Sequence, residues 1–167
     1  TIAELPSEQQ RQRAMDIVIE EEVKGCDAMI IREDVHSFIH RLQDSRVRLA
    51  LSTRNGGQAV DHFMAHANLA EGTFLPAVNR DSLGGINKPD PEVANHIMRE
   101  WGMSGGPTES QVVWFIGDSI DDVLCGKHAN CKTCLIRTPF NVKYEGREEV
   151  DLVVDSLSEW ADHVGLK

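Results

Sequence analysis

"VVWFIGDSIDD", residues 112–122, decides how this chain is read. The apolar, β-branched and aromatic residues 112–116 have the length and character of a buried strand. Gly117 breaks the run, and Asp118, Asp121 and Asp122 follow at once. Carboxylates this close repel one another unless something positive lies among them. A helix beginning near Ser119 puts Asp118 at its N-cap and Asp122 one turn on, so both can face the mouth of the strand. Two hard oxygen donors there suit Mg2+, which takes one or two carboxylates and fills its other positions with phosphate and water. A purely structural explanation uses one carboxylate as a cap and leaves two as surface charges.

Outward from that stretch, helix and strand signals alternate. Ser7 is the N-cap of a helix over residues 7–24, with Glu8 in its first turn. Val35, Phe38, Ile39 and Leu42 recur at helical spacing over 34–44. "VRLALS", 47–52, reads as a strand, and "GGQAVDHFMAHANL", 56–69, as a helix. A strand follows near 73–77. Asp90 then caps a helix that carries Pro91 in its first turn and runs to Trp101. After the strand at 112–116 come a helix over 119–129, strands near 132–136 and 151–154, and a closing helix. Alternation of this kind implies a parallel sheet with helices on both faces. In such sheets ligands sit outside the carboxyl ends of the strands.

Two further strand-end signals stand beside the acidic one. The strand 47–52 runs into Ser52-Thr53-Arg54-Asn55, whose hydroxyl, guanidinium and amide groups suit an anionic oxygen. The same residues also serve as a Ser/Thr cap and a solvent-facing arginine. "NKPDPEV" presents Lys88 on a stiff segment, because each proline restricts itself and the residue before it. Taken alone, Lys88 reads first as a surface lysine before a helix.

In order and spacing, the three signals resemble the haloacid dehalogenase superfamily, whose members are mostly Mg2+-dependent phosphatases. "LALSTRN" is similar to its motif II, "NKPDPEV" to motif III and "VVWFIGDSIDDVLCGKHANC" to motif IV, and "VDLVVDSLSEW" is similar to its last strand and helix. The resemblance covers roughly residues 34–165. It implies an α/β, Rossmann-like three-layer sandwich with a parallel sheet. Residues 1–33 would be a small helical cap segment, and 34–167 the core. It also implies roles. Thr53 would bind a non-bridging phosphate oxygen, helped by Arg54 and Asn55. Lys88 would hold the phosphate and neutralise the nucleophile. Asp118 would ligate Mg2+, with Asp122 supporting the metal or its water, and Gly117 would keep the turn open. A phosphoglycolate phosphatase-like activity on a small phosphorylated metabolite is the nearest expectation.

One family signature is missing. Motif I, a strand ending in Asp-x-Asp-Gly-Thr, supplies the aspartate that attacks phosphorus. No two aspartates of this sequence are separated by one residue. The strand that carries motif I lies between those ending at Thr53 and Asp118, so its absence would leave unpaired backbone on both sides of a gap. Thr1 in place of Met, and entry straight into a cap-like helix, give the expectation of an N-terminally truncated chain, inactive alone. The rival expectation is a catalytically dead binding or regulatory protein that keeps the phosphate and metal pocket.

Bulk properties agree with a globular domain. Of the 167 residues, 41% are hydrophobic and 26% charged, and the formal net charge is −10. That acidity argues against nucleic acid and anionic membrane as partners. A core of this size needs no disulfide framework, so a reducing, cytoplasmic setting is expected. Cys125, His128, Cys131 and Cys134 have metal-like spacing. Placed across a helix and a buried strand, however, they read as small packing residues. His62 and His66, like His36 and His40, lack the glutamate of a metalloprotease motif and read as half-exposed helix residues. Trp101, Trp114 and Trp160 read as core.

Overall fold

A computed structural model describes residues 2–166. After a short 3-10 turn come α1 (Glu8–Asp27), α2 (Val35–Asp44), β1 (Leu51–Ser52), α3 (Gly57–His66), β2 (Ala77–Val78) and α4 (Glu92–Glu100). Then follow β3 (Trp114–Gly117), α5 (Ile120–His128), β4 (Lys132–Ile136), β5 (Leu152–Val154) and α6 (Leu157–His163). Every strand pairing is parallel: β1 with β2, and β3 with β4 and then β5. The alternation of helix and strand in the sequence therefore matches the architecture.

The strands form a two-stranded sheet, β1–β2, and a separate three-stranded sheet in the order β3–β4–β5. Leu51 lies opposite Ala77, Trp114 opposite Lys132, and Cys134 opposite Leu152. Two apolar clusters occupy the two faces. One joins α4 and α5 through Val93, Ile97, Met98 and Cys125, and reaches Ala50 and Phe115. The other joins α2 and α6 through Phe38, Leu42 and Trp160, and reaches Leu49, Trp114 and Ile116. Alternate residues of β3, and Leu49 and Ala50 just ahead of β1, thus serve opposite faces, as the two-residue period of extended chain requires.

Several boundaries differ from the expectation. β1 is two residues long, where a strand over 47–52 was expected, and β2 starts at Ala77. Leu51 N donates to Pro76 O, but proline has no N–H to return, so the ladder is thin. α1 runs three residues beyond Lys24, to Asp27, and buries none of its side chains. α2 contributes Phe38, Ile39 and Leu42 to the core.

Candidate functional site

The carboxyl ends of β1 and β3 meet at one lysine. Lys88 Nζ donates to Ser52 O at 2.9 Å and pairs with Asp122 Oδ1 at 2.6 Å. Both side chains of the pair are largely buried, at 11% and 8% exposure, so this charge pair is little screened by water. This ammonium lies against the innermost of the three clustered carboxylates and offsets its charge.

Asp122 has a second task. α5 starts at Ser119, whose Oγ accepts from Asp122 N at 3.2 Å, while Asp122 Oδ2 accepts from Ser119 N at 3.1 Å. This is a reciprocal capping box. The cap is therefore Ser119 and not Asp118, which corrects the placement drawn from the sequence. A hydroxyl one residue past Asp118 and a carboxylate at the third helical position suffice to move it. Gly117 is required by close approach, since a Cβ there would overlap the Asp122 carboxylate.

Capping by Ser119 leaves Asp118 exposed, and its carboxylate pairs with no described donor or cation. Its backbone is held from below: Asn141 Nδ2, on a buried side chain, donates to Asp118 O at 2.7 Å and to Ile136 O at 3.1 Å. Asn141 thus ties the tip of β3 to the end of β4. Its Oδ1 also accepts from Thr138 N at 2.9 Å, while the two carbonyls it reaches lie at the ends of different strands.

Asp121 is held by Arg54, with Nη1 and Oδ2 at 2.7 Å. Arg54, which the sequence turns toward an anionic oxygen, is thus joined to Asp121 across the mouth. Thr53 Oγ1 accepts from Asn55 N at 3.1 Å, so the hydroxyl proton remains available to a ligand oxygen. Asn55 itself is exposed. Beside it, Arg80 N donates to Asn55 O, and the Arg80 side chain forms an ion pair with Glu22 of α1. Glu22 also accepts from Gly56 N, at the start of α3.

The donor set fits a hard cation of modest protein ligation. Asp118 offers open carboxylate oxygens at the strand tip, and Asp122 is one turn away with its oxygens engaged by Lys88 and Ser119. Among the described residues no group of three or more His, Cys, Asp and Glu side chains converges as a metal cage. Carboxylate oxygens of this kind suit a hard ion such as Mg2+, which keeps water and substrate oxygens in most of its positions.

The other clusters behave as packing. Cys125, Cys131 and Cys134 are buried, and burial pushes their thiols up to about 11, 11 and 12. His62 and His66 stack with ring centroids 5.8 Å apart, and His36 and His40 are exposed. Trp160 is core, while Trp101 and Trp114 are only partly covered. No described helix is long and apolar enough to cross a membrane.

Comparison with known proteins gives a consistent picture. A family model described as haloacid dehalogenase-like hydrolase matches residues 1–136. A haloacid dehalogenase-like hydrolase domain-containing protein of Arabidopsis thaliana is 32% identical over 159 residues, spanning 92% of this chain and 60% of the plant protein. The chain thus spans about 60% of the length of that relative. Among solved structures, a hydrolase from Pseudomonas syringae superposes with a TM-score of 0.76 at 16% identity, covering 97% of this chain and 75% of that one. CbbY from Rhodobacter sphaeroides, in complex with phosphate, gives 0.68 at 21% identity, covering 93% and 67%. At these identities the superpositions speak for the fold.

Proposed function

The chain belongs to the haloacid dehalogenase-like hydrolases, and from that premise we propose that it carries the phosphate and metal half of a Mg2+-dependent phosphomonoester hydrolase. The observation that carries this reading is the buried Lys88 ammonium, seated between the Ser52 carbonyl and the Asp122 carboxylate where β1 and β3 end. A cation so placed stabilises a phosphoryl group at the strand tips and favours the ionised form of a nucleophile beside it. Thr53 Oγ1 donates to a non-bridging oxygen, with Asn55 and the exposed Arg54 on the outer side. Asp118 holds the metal, and Asp122 positions Lys88 and the first turn of α5. When bound, Mg2+ supplies charge neutralisation at the phosphoryl oxygens.

The reaction this reading implies passes through an aspartyl-phosphate. The attacking aspartate is not supplied by these 167 residues, which contain no Asp-x-Asp. This chain alone is expected to bind phosphate with Mg2+ and to turn nothing over. The substrate is a small phosphorylated metabolite of the phosphoglycolate kind, and residues 1–33 are the cap segment over it.

The test joins a strand ending in Asp-x-Asp-Gly-Thr to the amino end and assays hydrolysis of a generic phosphomonoester. Mg2+-dependent turnover that is lost in Lys88→Ala bears the reading out. Phosphate binding without turnover in every such fusion favours the rival, a protein that binds at an inherited pocket.

A further inference from the structure

Asp118, to which the proposed function gives the metal, is steered by little of its own. Its side chain is exposed and meets no described donor or cation. It lies on the short bend between β3, which ends at Gly117, and α5, which begins at Ile120. The helix does not hold it either. Val123 N goes to Ser119 O, and Asp122 N goes to Ser119 Oγ. The helical ladder therefore starts at the Ser119 carbonyl, as it does at any N-cap, and Asp118 O lies outside it.

The bond from Asn141 fills that place. Asn141 Nδ2 donates to Asp118 O at 2.7 Å and to Ile136 O at 3.1 Å, and Oδ1 accepts from Thr138 N at 2.9 Å. Two carbonyls on one side and an N–H on the other admit only this orientation of the side-chain amide, and both its donor hydrogens are used. Three bonds to three points fix the amide, and the amide in turn fixes the Asp118 carbonyl.

Asn141 is 4% exposed, although Phe140 before it is 88% exposed and Val142 after it 54%. Among the described residues the buried polar side chains are Asp122, Thr133 and Asn141. Asp122 pairs with Lys88 at the candidate site, and Thr133 bonds to Glu149 O and to Asp151, just before β5. Taking an amide out of water costs free energy that its hydrogen bonds must offset, and an apolar side chain packs without that cost. What an apolar side chain cannot do is hold Asp118 O.

We propose that Asn141 is a positioning residue for the divalent cation at Asp118. Held by its carbonyl, the Asp118 backbone keeps one course from Gly117 to Ser119. The carboxylate then stands at the strand tip with little ordering left to do when a cation arrives. Groups that orient a metal ligand from behind typically change metal affinity by about 10- to 100-fold when removed. This role rests on the reading of Asp118 as the metal carboxylate. It adds to that site a residue from the loop between β4 and β5, outside the stretches that carry Thr53, Lys88 and the acidic cluster.

The test uses the 167-residue chain and Mn2+. Free ion is counted by its paramagnetic resonance signal, and the place of binding is read from broadening of the Asp118 and Ser119 amide resonances. Asp118→Asn should abolish both binding and broadening. Asn141→Leu, which keeps the volume and loses the donors, should weaken Mn2+ binding by about 10- to 100-fold. Asn141→Ser, whose hydroxyl donates to one carbonyl at most, should fall between Asn141→Leu and the parent chain. Two controls separate positioning from general loosening. Ile39→Val thins the core between α2 and α6, and Glu145→Ala breaks the ion pair with Arg137 in the same loop as Asn141. Both should bind Mn2+ as the parent does. Parental affinity in folded Asn141→Leu overturns the proposal and leaves Asp118 as the metal carboxylate. So does a loss that Ile39→Val matches. If Asn141→Leu fails to fold, Asn141→Ser decides in its place, and parental affinity there overturns the proposal. If Asp118→Asn changes neither binding nor broadening, the metal reading of Asp118 falls and the role of Asn141 falls with it.

Discussion

Lys88 ties the folding of the chain to the candidate site. Its ammonium and the Asp122 carboxylate are buried together, so removing one strands the other's charge. Lys88→Met is expected to lower unfolding free energy by about 3 kcal/mol, read from urea denaturation. Pairing it with Asp122→Ala, which removes the stranded charge, should recover part of that loss. Arg54 and Asp121 form a contrasting pair, since the arginine is mostly exposed. Arg54→Ala should shift stability by no more than about 0.5 kcal/mol while weakening phosphate binding. The cysteines make a third case. With three thiols buried and pushed up to about 11 or 12, iodoacetamide at pH 8 should modify Cys26 alone in the folded chain and all four cysteines after denaturation, as counted by mass spectrometry.

At the scale of elements, Asp34 links two helices far apart in sequence. It is the N-cap of α2, and its Oδ2 accepts from Leu157 N at 2.9 Å and Ser158 N at 3.3 Å, in the first turn of α6. Burial opposes its charge, but the hydrogen bonds from Ser158, Arg32 and Leu157 outweigh burial and hold its pKa below the ordinary value. An acid depressed on folding stabilises the fold above its unfolded pKa of about 3.9, and that contribution drains away as pH falls through the folded value. Asp34→Asn should therefore lower Tm at pH 6. The difference from the parent chain should close as the pH drops below about 4. The elements also show where sequence patterns mislead. Residues 47–50 have the alternation of a strand, yet only Leu51–Ser52 qualifies, because Pro76 cannot complete the ladder and the other edge has no partner among the described residues.

Across the whole molecule, attachment is uneven. α2, α4, α5 and α6 anchor in the two cores, whereas α1 buries no side chain and leaves Ile17 and Val23 about half exposed. Its tie to the body includes Glu22, which meets Arg80 and Gly56 N beside the candidate site. Local opening is easiest where few apolar contacts hold an element. Hydrogen exchange should thus be faster in α1 than in α4, and Glu22→Ala should speed it further in α1 while leaving α4 unchanged. An equal acceleration in both helices would mean that Glu22 supports the fold as a whole and not the docking of α1.

The fold class and the family were legible in the sequence because they rest on local signals: a strand-length apolar run, a glycine turn, and acidic and basic residues at fixed distances from it. Thr53, Lys88, Asp118 and Asp122 are candidates on the same local signals, and their roles belong to the proposed function. Which groups meet was decided by the tertiary structure alone. The Lys88–Asp122 and Arg54–Asp121 pairs, the support of Asp118 by Asn141, and the split into two sheets all depend on segments tens of residues apart coming to one place. Periodicity and capping act over one or two turns of chain, so they specify elements. Hydrogen bonds and charge pairs act over a few ångströms of space, and only the packed chain sets those distances.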